Sequence, residues 1–114
     1  MAKAEYRKDV LDKVRAMLAG QDDVTPGQMM GHPVFYYAPA GAKRKMFACV
    51  YGPGLALKLK PELVETMLDE PGCAPFTPLE RLMKGWLVVY RDNVEELDEL
   101  EELLHEALAH AAGG

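Results

Sequence analysis

The stretch Lys45-Met46-Phe47-Ala48-Cys49-Val50-Tyr51-Gly52-Pro53-Gly54-Leu55-Ala56-Leu57-Lys58-Leu59-Lys60 decides the fold. Two runs of β-forming and apolar residues flank a Gly-Pro-Gly turn signal, which is the pattern of an antiparallel hairpin. The second run alternates leucine with alanine or lysine, so its leucines share one face of an extended strand. A three-residue loop sets Tyr51 opposite Leu55, Cys49 opposite Leu57 and Phe47 opposite Leu59. All six large side chains then fall on one face, and slipping the pairing by one residue turns Lys58 and Lys60 inward. The opposite face carries Arg44, Met46, Ala48, Val50, Ala56, Lys58 and Lys60.

Working outward, Val34-Phe35-Tyr36-Tyr37-Ala38 reads as a preceding strand closed by Pro39-Ala40-Gly41, which extends the hairpin into a meander. Residues 21–33 hold Pro26, Gly27, Gly31 and Pro33 and read as a connecting loop. Before it, Tyr6, Val10, Leu11, Val14, Met17 and Leu18 line one face of a docking helix that stops at Gly20. After the hairpin, Pro61 and Glu62 open a short helix that Pro71-Gly72 ends. Residues 73–78 read as a loop, residues 79–83 as an extended candidate, and Trp86-Leu87-Val88-Val89-Tyr90 as the last strand. Asn93 is the expected N-cap of a closing helix whose apolar stripe runs from Val94 through Leu97, Leu100, Leu104 and Ala107 to Ala111. The expected architecture is α+β: an antiparallel β-sheet meander covered by an N-terminal and a C-terminal helix, in two layers, as a single domain over residues 1–114.

Composition agrees. The 114 residues are 49% apolar and 27% charged, values of one folded domain rather than a disordered chain. No apolar run approaches the roughly 20 residues needed to cross a bilayer, and the first residues lack a signal-peptide core, so a cytoplasmic protein is expected. Cys49 and Cys73 are too few for a disulfide framework.

Charge is unevenly placed. The net −5 divides into −7 over residues 91–114 and +2 over the rest. No acid occurs between Asp23 and Glu62, whereas Lys43, Arg44, Lys45, Lys58 and Lys60 do. A basic hairpin face of this kind receives an anionic partner. Alternatively, its lysines simply prevent unwanted strand pairing. The register above leaves no aromatic ring beside the cations, and this argues against nucleic acid, which uses rings to stack bases.

Catalytic chemistry finds little footing. The chain has no serine, and Gly52-Pro53-Gly54 lacks the lysine and following helix of a phosphate loop. His105 and His110 are five apart, off the i, i+4 spacing of a helical metal pair, and His32 reads as a lone surface or turn residue. Cys49 is expected to be buried and inert, Cys73 more exposed but without a neighbouring base. The carboxylates of the closing helix read as its solvated face. No catalytic, cofactor or metal site is expected; any enzymatic role would need a pocket around His32 and Cys73.

Taken in order, Met29-Met30-Gly31, Val34-Phe35-Tyr36-Tyr37, Lys45-Met46-Phe47-Ala48-Cys49-Val50, Leu55-Ala56-Leu57-Lys58-Leu59-Lys60, Pro75-Phe76 and the closing helix resemble the TfoX N-terminal domain family. The related YjbR-like family, often labelled DNA-binding, shares the lysine-bearing strands and a tryptophan strand like that at Trp86. Met30 stands where the family usually has phenylalanine, and Gly31-His32 replaces a common Gly-Gly. The resemblance spans residues 5–111 and implies an α+β domain without established enzymatic activity. In longer members the domain is linked to regulation of competence for DNA uptake, through chains that carry a second helical domain which this sequence lacks.

The resulting expectation is a non-enzymatic regulatory or protein-interaction domain that meets a protein partner, or a second copy, through Arg44, Met46, Ala48, Val50, Lys58 and Lys60. The alternative is weak nucleic-acid binding by the same cations, with a log–log salt slope near about −4 to −5 for about five phosphate contacts.

Overall fold

The computed structural model describes residues 6–52, 54–77, 83–90 and 100–113. Nine elements follow in the order α1 (Lys8–Leu18), β1 (Val24–Met29), β2 (His32–Tyr37), β3 (Lys45–Tyr51), β4 (Gly54–Lys58), α2 (Pro61–Met67), β5 (Cys73–Pro75), β6 (Trp86–Tyr90) and α3 (Glu101–Ala111). The strands form one antiparallel sheet of order β1-β2-β3-β4-β6-β5. Four sequential strands make the expected meander, and β6 then pairs along the whole of β4. No described helix is long and apolar enough to cross a membrane.

The helices gather on one side. Val10, Leu11, Val14 and Leu18 of α1, Val64 of α2 and Leu104, Ala107 and Ala111 of α3 join one buried cluster with Phe35, Leu55, Leu57, Leu87 and Val89 of the sheet. The spacing of three and four along α1 and α3 is what lets each helix present such a stripe. Val34, Cys49, Ala56, Trp86 and Val88 form a second cluster on the opposite side, together with Phe76, which follows β5. The sheet is therefore buried on both faces.

The central register differs from the expected one. Tyr51 pairs with Gly54, Val50 with Leu55 and Ala48 with Leu57. The turn is thus two residues long, and Gly52 supplies the positive φ of 55° that such a tight hairpin demands. Gly54 can belong to the strand because it has no side chain: a Cβ there would lie 2.7 Å from the Val89 carbonyl oxygen. The leucines still face the helices, but β3 is turned over opposite them. Ala48 and Val50, expected outside, are wholly buried beneath the helices, while Cys49 and Tyr51 face away from them.

A bulge rescues Phe47. Phe35 pairs with Ala48 but Tyr36 with Met46, so Phe47 is the extra residue and joins Ala48 on the helix side. Every side chain from Met46 to Tyr51 is apolar or aromatic, so hydrophobic alternation could not choose between the two settings.

Two further segments depart from expectation. Residues 24–29 are a strand rather than a loop. Pro26 is tolerated because β1 is an edge strand of the described sheet, with no neighbour beyond it to require its missing N–H. Gly27 is needed where it stands, since the Tyr36 ring occupies the position of its absent Cβ. Likewise Cys73–Pro75 is a short edge strand and not part of a loop. The extended candidate over residues 79–82 and the N-cap at Asn93 lie outside the described residues, and α3 is seen from Glu101.

Candidate interaction face

Alternation along the paired strands builds the helix-free face. It receives Met29 from β1, His32, Val34 and Tyr36 from β2, Met46, Cys49 and Tyr51 from β3, Ala56 and Lys58 from β4, and Trp86, Val88 and Tyr90 from β6. Small or branched residues occupy its middle, which lets larger rings close over them. His32 stacks on Tyr51 with centroids 4.3 Å apart, Tyr51 meets Phe76 edge-on at 5.1 Å, and Phe76 lies 5.6 Å from Trp86. These contacts run as one continuous aromatic line and favour a fixed arrangement of the rings.

Cations stand around this line. The Arg44 guanidinium sits 4.3 Å from the centre of the Tyr36 ring, a geometry that holds its charge over an apolar surface. Lys58, opposite Trp86 in the β4–β6 pairing, is exposed on the same face. Met46, Tyr36 and Tyr51 are half-buried and Tyr90 is exposed, so apolar and cationic surface are interleaved.

The six residues expected to form one site are divided among three places. Arg44, Met46 and Lys58 share the helix-free face. Ala48 and Val50 are sealed under the helices and offer no surface. Lys60 lies beyond the end of β4, as the N-cap of α2, and lines a groove on the helix side. In exchange the face gains Tyr51, Tyr36 and Tyr90. The sequence signal for two of them was the alternation His32-x-Val34-x-Tyr36 and Trp86-x-Val88-x-Tyr90.

His32 is not a surface residue. It opens β2 just after Met30-Gly31, a two-residue turn with φ of 52° and 81°, and its Nδ1 is buried without a hydrogen-bond partner. The Cys49 thiol is fully enclosed, and burial pushes its pKa up to about 12, so it is protonated and unreactive at neutral pH. Cys73 is half-buried against the helix-side cluster. His32 and Cys73 therefore belong to opposite faces and define no common pocket. Among the described residues no group of three or more His, Cys, Asp or Glu side chains converges as metal ligands.

A groove lies between α2 and α3. Leu63 and Leu103 contribute apolar surface to it, Glu62, Glu102 and Glu106 carboxylates, and its volume is about 760 Å³. No family model, curated protein or solved structure matches the chain.

Proposed function

We propose that this chain is a non-enzymatic interaction domain of the TfoX N-terminal type, acting in the cytoplasm, and that its binding surface is the helix-free face of the sheet. The observation that carries this reading is the juxtaposition of exposed Arg44 and Lys58 with half-buried Tyr36, Met46 and Tyr51. Interleaved apolar and cationic groups on a rigid sheet match a protein surface that sets carboxylates around an apolar centre. The complete lack of acids between Asp23 and Glu62 supports a partner of that sign.

The test is a photo-crosslinking residue in place of Met46, in the intact chain and in its own cells. The expected result is a discrete protein adduct that disappears when Arg44→Glu and Lys58→Glu are added, with the circular dichroism spectrum unchanged. Absence of any adduct refutes the assignment of this face.

A second reading, nucleic-acid binding, is favoured by one observation. The actual register brings half-buried Tyr36 and Tyr51 and exposed Tyr90 onto the face of the cations, with Arg44 over Tyr36, and rings beside arginine are the elements on which single-stranded bases stack. Adducts to nucleic acid at position 46, and binding of single-stranded oligonucleotides that weakens steeply with salt, select this reading over the first.

A further inference from the structure

The β2–β3 connection and the α2–α3 groove stand at the same end of the sheet. Ala48 pairs with Leu57, so the chain runs back along β3 to Lys45 as β4 runs forward to Lys60, the cap of α2. The connection, residues 38–44, is exposed from Ala40 onward, with small residues (Ala40, Gly41, Ala42) at its tip, followed by Lys43, Arg44 and Lys45. The groove is its counterpart in sign: it offers the leucine surface of Leu63 and Leu103 with Glu62, Glu102 and Glu106, three carboxylates against the single cation Lys60, beside His105.

Among the described residues, Lys43, Lys45, Glu62, Glu102 and Glu106 have no charged partner within 4 Å, and the Arg7–Asp9 ion pair lies elsewhere. Tip and groove at one end of one molecule are what a closed two-fold pairing requires, because the same rotation that seats one tip seats the other. We infer that two copies of this chain associate across this end, each placing the tip at residues 40–42, with Lys43 and Lys45, in the α2–α3 groove of its partner while Arg44 stays over Tyr36. This goes beyond the interaction face proposed above: it uses the helix side of the molecule, and its test leaves Arg44 and Lys58 in place.

Sedimentation equilibrium of the full chain decides the matter. A concentration-dependent dimer is expected at about 0.05 M salt and should weaken at about 0.5 M, where the Debye length is only a few ångströms. Lys43→Glu with Lys45→Glu, and separately Glu102→Lys with Glu106→Lys, should each weaken dimerisation at least about tenfold, since like charges then face one another. Mixing the two variants should restore a heterodimer, in which both contacts again join opposite charges. All four positions are exposed, so circular dichroism should show intact folds. A wild-type chain that stays monomeric into the millimolar range overturns the inference. So does a dimer indifferent to salt or to both double variants, or a mixture that fails to re-associate.

Discussion

Val50→Ala tests the central register directly. Val50 is fully buried opposite Leu55 and beneath the helices, and the substitution removes two methyl groups from that position. Transfer of those groups accounts for about 1.6 kcal/mol, and a partly unrelaxed cavity adds about 1 kcal/mol, for a loss of about 2.5 kcal/mol. A domain of this size has a total stability of only about 5–15 kcal/mol, so the effect is a large fraction of the whole. With a urea dependence of about 1–3 kcal/mol per molar, the midpoint of equilibrium unfolding should fall by roughly 1–2.5 M. A Val50 on an open, solvated outer face, as the sequence alone suggests, would instead lose less than about 0.5 kcal/mol on truncation. A measured change that small, with an unaltered urea dependence, refutes the burial of Val50 beneath the helices and the face assignment built on it.

Gly54→Ala should cost about 1–3 kcal/mol in the same assay, because its Cβ meets the Val89 carbonyl oxygen at 2.7 Å and β4 must part from β6 to admit it. Alkaline pH should destabilise the fold through Cys49: its thiol is held near pKa 12 in the native state against an ordinary 9.0, so the unfolded chain loses this proton first as pH rises. Between those values stability should decline with a slope approaching about 1.4 kcal/mol per pH unit, and Cys49→Ala should remove that component in urea titrations above pH 9. Asp9 works at the other end of the scale, where the hydrogen bonds from Arg7 hold its pKa below the usual 3.8. Its contribution is present above the ordinary value and lost as pH falls through the lowered one, so Asp9→Asn and wild type should converge in thermal midpoint in strong acid.

Much of this architecture can be read from local chemistry, and the exceptions share a cause. The leucines of β4 and the stripe of α1 declare themselves by contrast: Lys58 and Lys60 fix which way the leucines turn, and the other face of α1 carries its charges. In β3 that contrast is missing. Both faces of the strand are covered, Ala48 and Val50 by helices and Cys49 by rings, so its residues carry no polarity to orient them. The turn geometry decided instead, and it depended on Gly54 serving as a strand residue beneath Tyr90 and beside the Val89 carbonyl, which are more than thirty positions away. The same holds for β1, where Pro26 and Gly27 look like breakers until the edge position and the Tyr36 ring explain them. The candidate face was half legible: Arg44, Met46 and Lys58 were found from charge and alternation, whereas the rings beside them depended on the register.

The placement of α3 has a consequence for how the polypeptide is made. This helix packs across β3 and β4, the strands that contribute Val50, Leu55 and Leu57 to the buried cluster. During translation those strands leave the ribosome roughly fifty residues ahead of their cover, with a greasy flank exposed that nothing yet synthesised at the C-terminal end can hide. A nascent chain in that state is a natural client for a holding chaperone, and slow codons or truncations upstream of residue 100 prolong its exposure to aggregation.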